Sequence, residues 1–226
     1  MVRPIRSVLR EALIDFALQD SSLMDCIFLR LPIYSKTELM IRLFILSLLI
    51  SILWGAFRPT NIVEVIAIIF TSHFINWFFN GHGYQILYEV LGVEYSASKA
   101  VNYVLKLKGE AEKKSLHVMI YGSWSRGKAS KSSDLDIFIV NVRGSLLDGL
   151  RMGFTSLKYR LIALFTLLSV DIYVVDRVDY LGWRSKARPD EKPIILSDPT
   201  GTMRRIYGRE KELKEFLREI ERIYKK

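Results

Sequence analysis

Residues 118–140 read VMIYGSWSRGKASKSSDLDIFIV, and the fold turns on how that stretch is parsed. Four residues, Val118 to Tyr121, make a short apolar run of strand type. Gly122-Ser123 then breaks it and opens a helix. A second apolar run over 135–140 carries Asp134 and Asp136 at its entrance. Side chains alternate along a strand, so these two carboxylates share one face. Paired carboxylates beside a Gly-Ser turn are suited to holding a divalent cation against a phosphate, because hard cations take carboxylate oxygens.

The same residues carry a resemblance. Gly122-Ser123, Arg126-Gly127, Ala129 and Ser133-Asp134-Leu135-Asp136 resemble the DNA polymerase beta-type nucleotidyltransferase superfamily, in the form of its minimal nucleotidyltransferases. The resemblance covers about residues 115–176. It implies an α/β (α+β) fold with a small mixed sheet flanked by helices. It also implies divalent-metal catalysis with Mg2+ or Mn2+, moving an NMP, most plausibly AMP, from a triphosphate such as ATP to an acceptor hydroxyl. Acceptors in such a family include a partner protein (often a HEPN-type toxin), a tRNA or a small molecule. The family's third carboxylate lies on a later strand, and Ser169-Val-Asp-Ile-Tyr-Val-Val175 offers Asp171 as third ligand or general base. Gly122 and Ser123 are then expected at the phosphates and Arg126 at the leaving pyrophosphate. A non-catalytic membrane-bound nucleotide sensor or scaffold that keeps the fold is the alternative.

One competing motif overlaps. Gly122, Gly127 and Lys128 also fit P-loop spacing, but Ala129 stands where a P-loop needs Ser or Thr for magnesium. That parse also leaves Asp134 and Asp136 without a role.

Outside this stretch the chain changes character. Of its 226 residues, 50% are hydrophobic, with the excess concentrated before residue 80. Residues 43–57 hold no charge, and 39–57 hold only Arg42, placed to snorkel. After Arg58-Pro-Thr-Asn61 a second run, 62–79, is interrupted by Glu64, His73 and Asn76. About 20 residues cross a bilayer as a helix. The two runs are thus expected to form a transmembrane helical hairpin. Residues 1–96 carry a net charge of −1 and 97–226 a net +10. Six basic residues precede the uncharged run that starts at 43 and only Arg58 lies in the turn, so the catalytic domain is expected in the cytoplasm, with two spans. The basic domain also suits an anionic lipid surface.

The expected organisation is an N-terminal helical segment (1–38), the hairpin (39–80) and a nucleotidyltransferase domain (81–226). Residues 4–18 have the period of an amphipathic helix, and 84–91 and 96–108 read as helices. Strands are expected at 117–121, 135–142, 170–175 and 193–196, helices at 146–168 and 204–226, and at 177–192 a basic, polar loop with Trp183 that is a candidate for substrate contact. The single cysteine, Cys26, excludes an intrachain disulfide and a Cys-based metal site. Charges at Arg10, Glu11, Asp15 and Asp20 break any signal-peptide core.

Overall fold

The computed structural model describes residues 35–80, 96–131, 133–176, 178–208 and 211–224. The expected helices at 4–18 and 84–91 lie outside them. The sheet grows outward from the quoted stretch. Strand β1 (His117–Ile120) pairs antiparallel with β2 (Leu135–Val140) on one side. On the other it pairs antiparallel with β4 (Ile194–Ser197). The strand β3 (Val170–Val175) joins β2 in parallel, giving the order β3-β2-β1-β4. A parallel pair needs a crossover, and residues 146–166 supply it as a helix.

The described residues thus form a mixed α/β fold with a four-stranded mixed sheet. Because β1 is antiparallel to both neighbours, the parallel surroundings of a P-loop strand are missing around Gly122.

The two faces of the sheet have different duties. One face presents Val118, Ile120, Leu135, Ile137, Ile139, Val170, Ile172 and Val174 to a continuous core. Helices of 97–113, 146–166 and 213–224 cover it, burying among others Tyr103, Leu107, Met152, Tyr159 and Phe216. The opposite face packs Met119, Tyr121, Phe138, Val140 and Val175 under a thinner layer that includes Tyr180, Leu181 and Met203. Asp136 and Asp171 occupy this thinner side by alternation from Phe138 and Tyr173.

In chain order the helices are α1 (Lys36–Phe57), α2 (Ile62–Asn80), α3 (Ala97–Lys113), α4 (Gly122–Ser125), α5 (Leu146–Thr166), α6 (Val178–Ala187), α7 (Thr202–Tyr207) and α8 (Leu213–Tyr224). Two of them correct the sequence expectation. The basic loop over 177–192 is largely the helix α6. The single helix expected over 204–226 is two, α7 and α8, parted at Gly208, whose φ of 68° ends α7.

The first turns of α1 dock onto the domain. Ser35 caps the helix, its hydroxyl accepting from the Glu38 amide at 3.2 Å. Along α5, Gly149 and Gly153 let α1 come close. A Cβ on Gly149 would stand 2.3 Å from Thr37 Oγ1, and one on Gly153 would stand 2.2 Å from Ile41 Cδ1. Glu38 is buried and bonded by Arg42 and Arg160, each at 2.5 Å. Its other oxygen accepts from the Val174 amide at 3.4 Å, and Arg160 donates to the Ile172 carbonyl. The Lys36 amide adds a 2.8 Å bond to Asp176. The outer edge of β3, which would otherwise be an open template for pairing, is closed by these groups. Arg42 is therefore an internal partner of Glu38, and the expectation that it snorkels is corrected.

Beyond that dock, α1 and α2 run out and back. The side chain of Asn76 donates to the Arg42 carbonyl at 3.2 Å, so the end of α2 returns to the start of α1. Met40, Phe44, Leu48, Ile52 and Phe57 on α1, with Ile62, Val63, Ile66 and Phe70 on α2, are exposed. The helix α1 is long and apolar enough to cross a membrane. The apolar part of α2, Ile62–Asn76, is shorter, and a second full span is not supported.

Candidate functional site

Three of the predicted residues meet at one corner of the sheet. Parallel pairing of β2 with β3 sets Asp136 directly beside Asp171, at the spacing of neighbouring strands, about 4.8 Å. Asp134 lies two residues before Asp136 on the same face. One carboxylate oxygen from each can be chosen so that all three lie within 4.8 Å of one another. Three negative charges at that range repel, and water reaches them only in part. Burial first, then the charges of Asp134 and Asp171, push the pKa of Asp136 up to about 8. A divalent cation would relieve both causes. Oxygen-only donors of this kind suit magnesium or manganese.

The Gly-Ser turn forms the wall behind these acids. Gly122 has φ 72°, and a Cβ there would lie 1.9 Å from Asp136 Oδ2. Glycine is thus required twice, for its left-handed backbone and for room beside a carboxylate. The Tyr121 amide donates to the Asp136 carbonyl at 2.8 Å, locking the turn to β2. The Ser123 hydroxyl is buried and has no partner among the described residues. An unspent buried donor next to an acidic corner fits a group that brings its own acceptor, as a metal-bound phosphate would.

Arg126 has an acidic partner of its own beside this turn. Its guanidinium pairs with Glu191 at 3.1 Å, and the same Glu191 oxygen accepts from the Gly122 amide at 3.1 Å. Arg184 of α6 holds the other oxygen at 2.9 Å, with Arg188 3.7 Å away. Arg184 lies over the rings of Tyr121 and Phe138, 4.9 and 5.2 Å from their centroids. Tyr173, whose hydroxyl donates to Asp171 at 3.3 Å, stacks on Phe138. This aromatic floor and the residues Arg184 and Glu191 were not singled out by the sequence. The only hint was the reading of 177–192 as a basic loop for substrate contact.

Comparison of the chain with protein-family models, with curated proteins and with solved structures finds no match.

Proposed function

We propose that the protein is a membrane-anchored nucleotidyltransferase with the nucleotidyltransferase fold. The observation that carries this reading is the register of β2 against β3. It brings Asp134, Asp136 and Asp171 together directly in front of Gly122 and the unpaired Ser123 hydroxyl. The acids would hold magnesium or manganese, which when bound would supply charge neutralisation for a triphosphate. Ser123 donates its hydroxyl to a phosphate oxygen. Asp171 takes the proton of the acceptor hydroxyl as its oxygen bonds to the α-phosphorus. The bond from that phosphorus to the bridging oxygen breaks, and pyrophosphate leaves.

The hairpin is the anchor. The exposed apolar surface of α1 from Met40 to Phe57 is about 27 Å long at 1.5 Å per residue, close to the roughly 30 Å of hydrocarbon. Glu38, Arg42 and Asn76 are paired inward against the domain and do not face lipid. Because α2 comes back beside the start of α1, the domain stays on one side, and the charge asymmetry of the sequence makes that side the cytoplasm.

Triphosphate labelled at the α-phosphate, incubated with the full-length protein, magnesium and a cell lysate, tests the chemistry. Label should pass to an acceptor with the wild type and not with Asp136→Ala. Label passing only from the γ-phosphate would make the protein a kinase or an ATPase and overturn the reading. For the anchor, a cysteine at Thr60 in a Cys26→Ser background should react with an impermeant thiol reagent on intact cells, and one at Lys225 should not.

A further inference from the structure

More donors converge on Glu191 than a single ion pair needs. Its two oxygens face three guanidiniums and one backbone amide: Arg126 and Gly122 on one oxygen, Arg184 and Arg188 on the other. One carboxylate thus takes hydrogen bonds from two guanidiniums and an amide, with a third guanidinium in ion-pair range. Two further donors at this place are unspent, since Arg184 Nε and Ser123 Oγ are buried without partners among the described residues. Guanidinium forks with a backbone amide are the usual equipment for a phosphate. The cluster also adjoins the acids, because both Arg184 and Glu191 act electrostatically on Asp136. The carboxylate itself sits in the irregular segment between the end of α6 at Ala187 and the start of β4 at Ile194. That segment can withdraw the side chain without unwinding a helix or unpairing a strand.

We infer that Arg126, Arg184, Arg188 and the Gly122 amide form the polyphosphate cradle of the site, and that Glu191 is its internal occupant. The side chain of Glu191 fills the place of a phosphate when no substrate is bound, and the incoming triphosphate tail displaces it. The inference rests on the nucleotidyltransferase reading for the identity of the tail. The cradle's direct contacts to polyphosphate are the arginines and the Gly122 amide, with no metal between. Glu191 therefore holds triphosphate affinity down and keeps the arginines ordered for the exchange.

Inorganic tripolyphosphate, without divalent metal, isolates the cradle from the metal site. Titrated by calorimetry into the full-length protein in detergent micelles, it should bind Glu191→Gln about tenfold or more tightly than the wild type, the worth of a charge-assisted hydrogen bond. Arg184→Ala placed on top of Glu191→Gln should remove that gain. Equal or weaker binding by a Glu191→Gln protein whose melting curve shows it folded overturns the inference. Should that variant fail to fold, Glu191→Asp keeps the charge and pulls it back by one methylene. Tighter tripolyphosphate binding by it supports the cradle, and unchanged or weaker binding overturns it. A gain for tripolyphosphate with no transfer of α-label would leave the cradle standing and remove the nucleotidyltransferase reading. Transfer without the gain would do the reverse.

Discussion

Two buried glutamates, each gripped by arginines, stand on different sides of this molecule. Glu38 is 3% exposed and Glu191 2%. Chemically they are alike, yet their surroundings differ. Glu38 lies inside the first turns of α1, and its partners Arg42 and Arg160 are about as buried as it is. Its second oxygen is spent on the backbone of β3. Glu191 lies in an irregular segment, and two of its arginine partners, Arg126 and Arg188, keep 26% of their side-chain surface in water. A buried ion pair is costly to break when both partners are desolvated, and much less so when the partner can turn to solvent. One cluster therefore holds the fold, and the other can open for a ligand.

The largest effect should follow from Glu38→Ala. Removing the carboxylate leaves Arg42 and Arg160 charged and buried, a loss of about 3–5 kcal/mol. At this chain length each kcal/mol lowers Tm by roughly 2–4 °C, so a fall of about 10 °C or more is expected by circular dichroism. Replacing Glu38, Arg42 and Arg160 together by leucine or methionine should recover most of it, since an apolar set needs no pairing. A single-variant loss under about 1 kcal/mol, the range of an exposed pair, would erase the contrast between the two glutamates.

How much of this was readable beforehand follows from the range over which each signal acts. The acidic pair at 134 and 136 and the glycine before Ser123 are local patterns, and period-2 alternation places them correctly. Asp171 needed the resemblance, because its neighbour across the sheet is 35 residues away. The Glu38 cluster was invisible for the same reason in stronger form: Arg160 is 122 residues from Glu38. A lone arginine at the start of an apolar run reads as a snorkelling residue until that partner is known. The helix α6 escaped because it buries only Tyr180 and Leu181 and carries Gly182 at its middle, so neither an apolar stripe nor helix propensity marks it. The break at Gly208 was announced by its glycine, but the apolar positions on both sides share a period that bridges it.

The next effect in size separates what lies beside each cluster. Near Glu191, burial and neighbouring acids raise Asp136 from its ordinary 3.8 to about 8. The folded protein then binds more protons than the unfolded chain between those values. By linkage, metal-free stability falls as pH rises from about 4 to about 8 and levels off above. His117, whose pKa burial lowers, has the opposite slope on the acid side of its ordinary 6.5, so the difference between wild type and Asp136→Asn is the informative curve. The variant should be the more stable of the two at pH 8 and lose its advantage toward pH 4. Saturating magnesium should restore the wild type at pH 8 and leave the variant nearly unchanged. Parallel melting curves across that range would mean that the three carboxylates do not repel as their spacing requires.

The smallest effect bears most directly on the contrast. Glu191→Gln removes a charge as deeply buried as that of Glu38, and equal burial alone would predict an equal loss. The partners decide otherwise. Arg126 and Arg188 are already partly hydrated and can complete their solvation by rotating outward. Only Arg184, 14% exposed, is left wanting, and it retains the rings of Tyr121 and Phe138, contacts worth about 0.5–2 kcal/mol to a cation. The glutamine keeps the shape and one carbonyl acceptor for the Gly122 amide. The expected loss is about 1 kcal/mol, the net worth of an ordinary hydrogen bond, or a shift in Tm of roughly 2–4 °C. Urea melts of Glu38→Gln and Glu191→Gln side by side measure the difference free of size change. A loss in Glu191→Gln matching that of Glu38→Gln would make Glu191 a structural residue held as firmly as its counterpart, with no carboxylate left to yield its place.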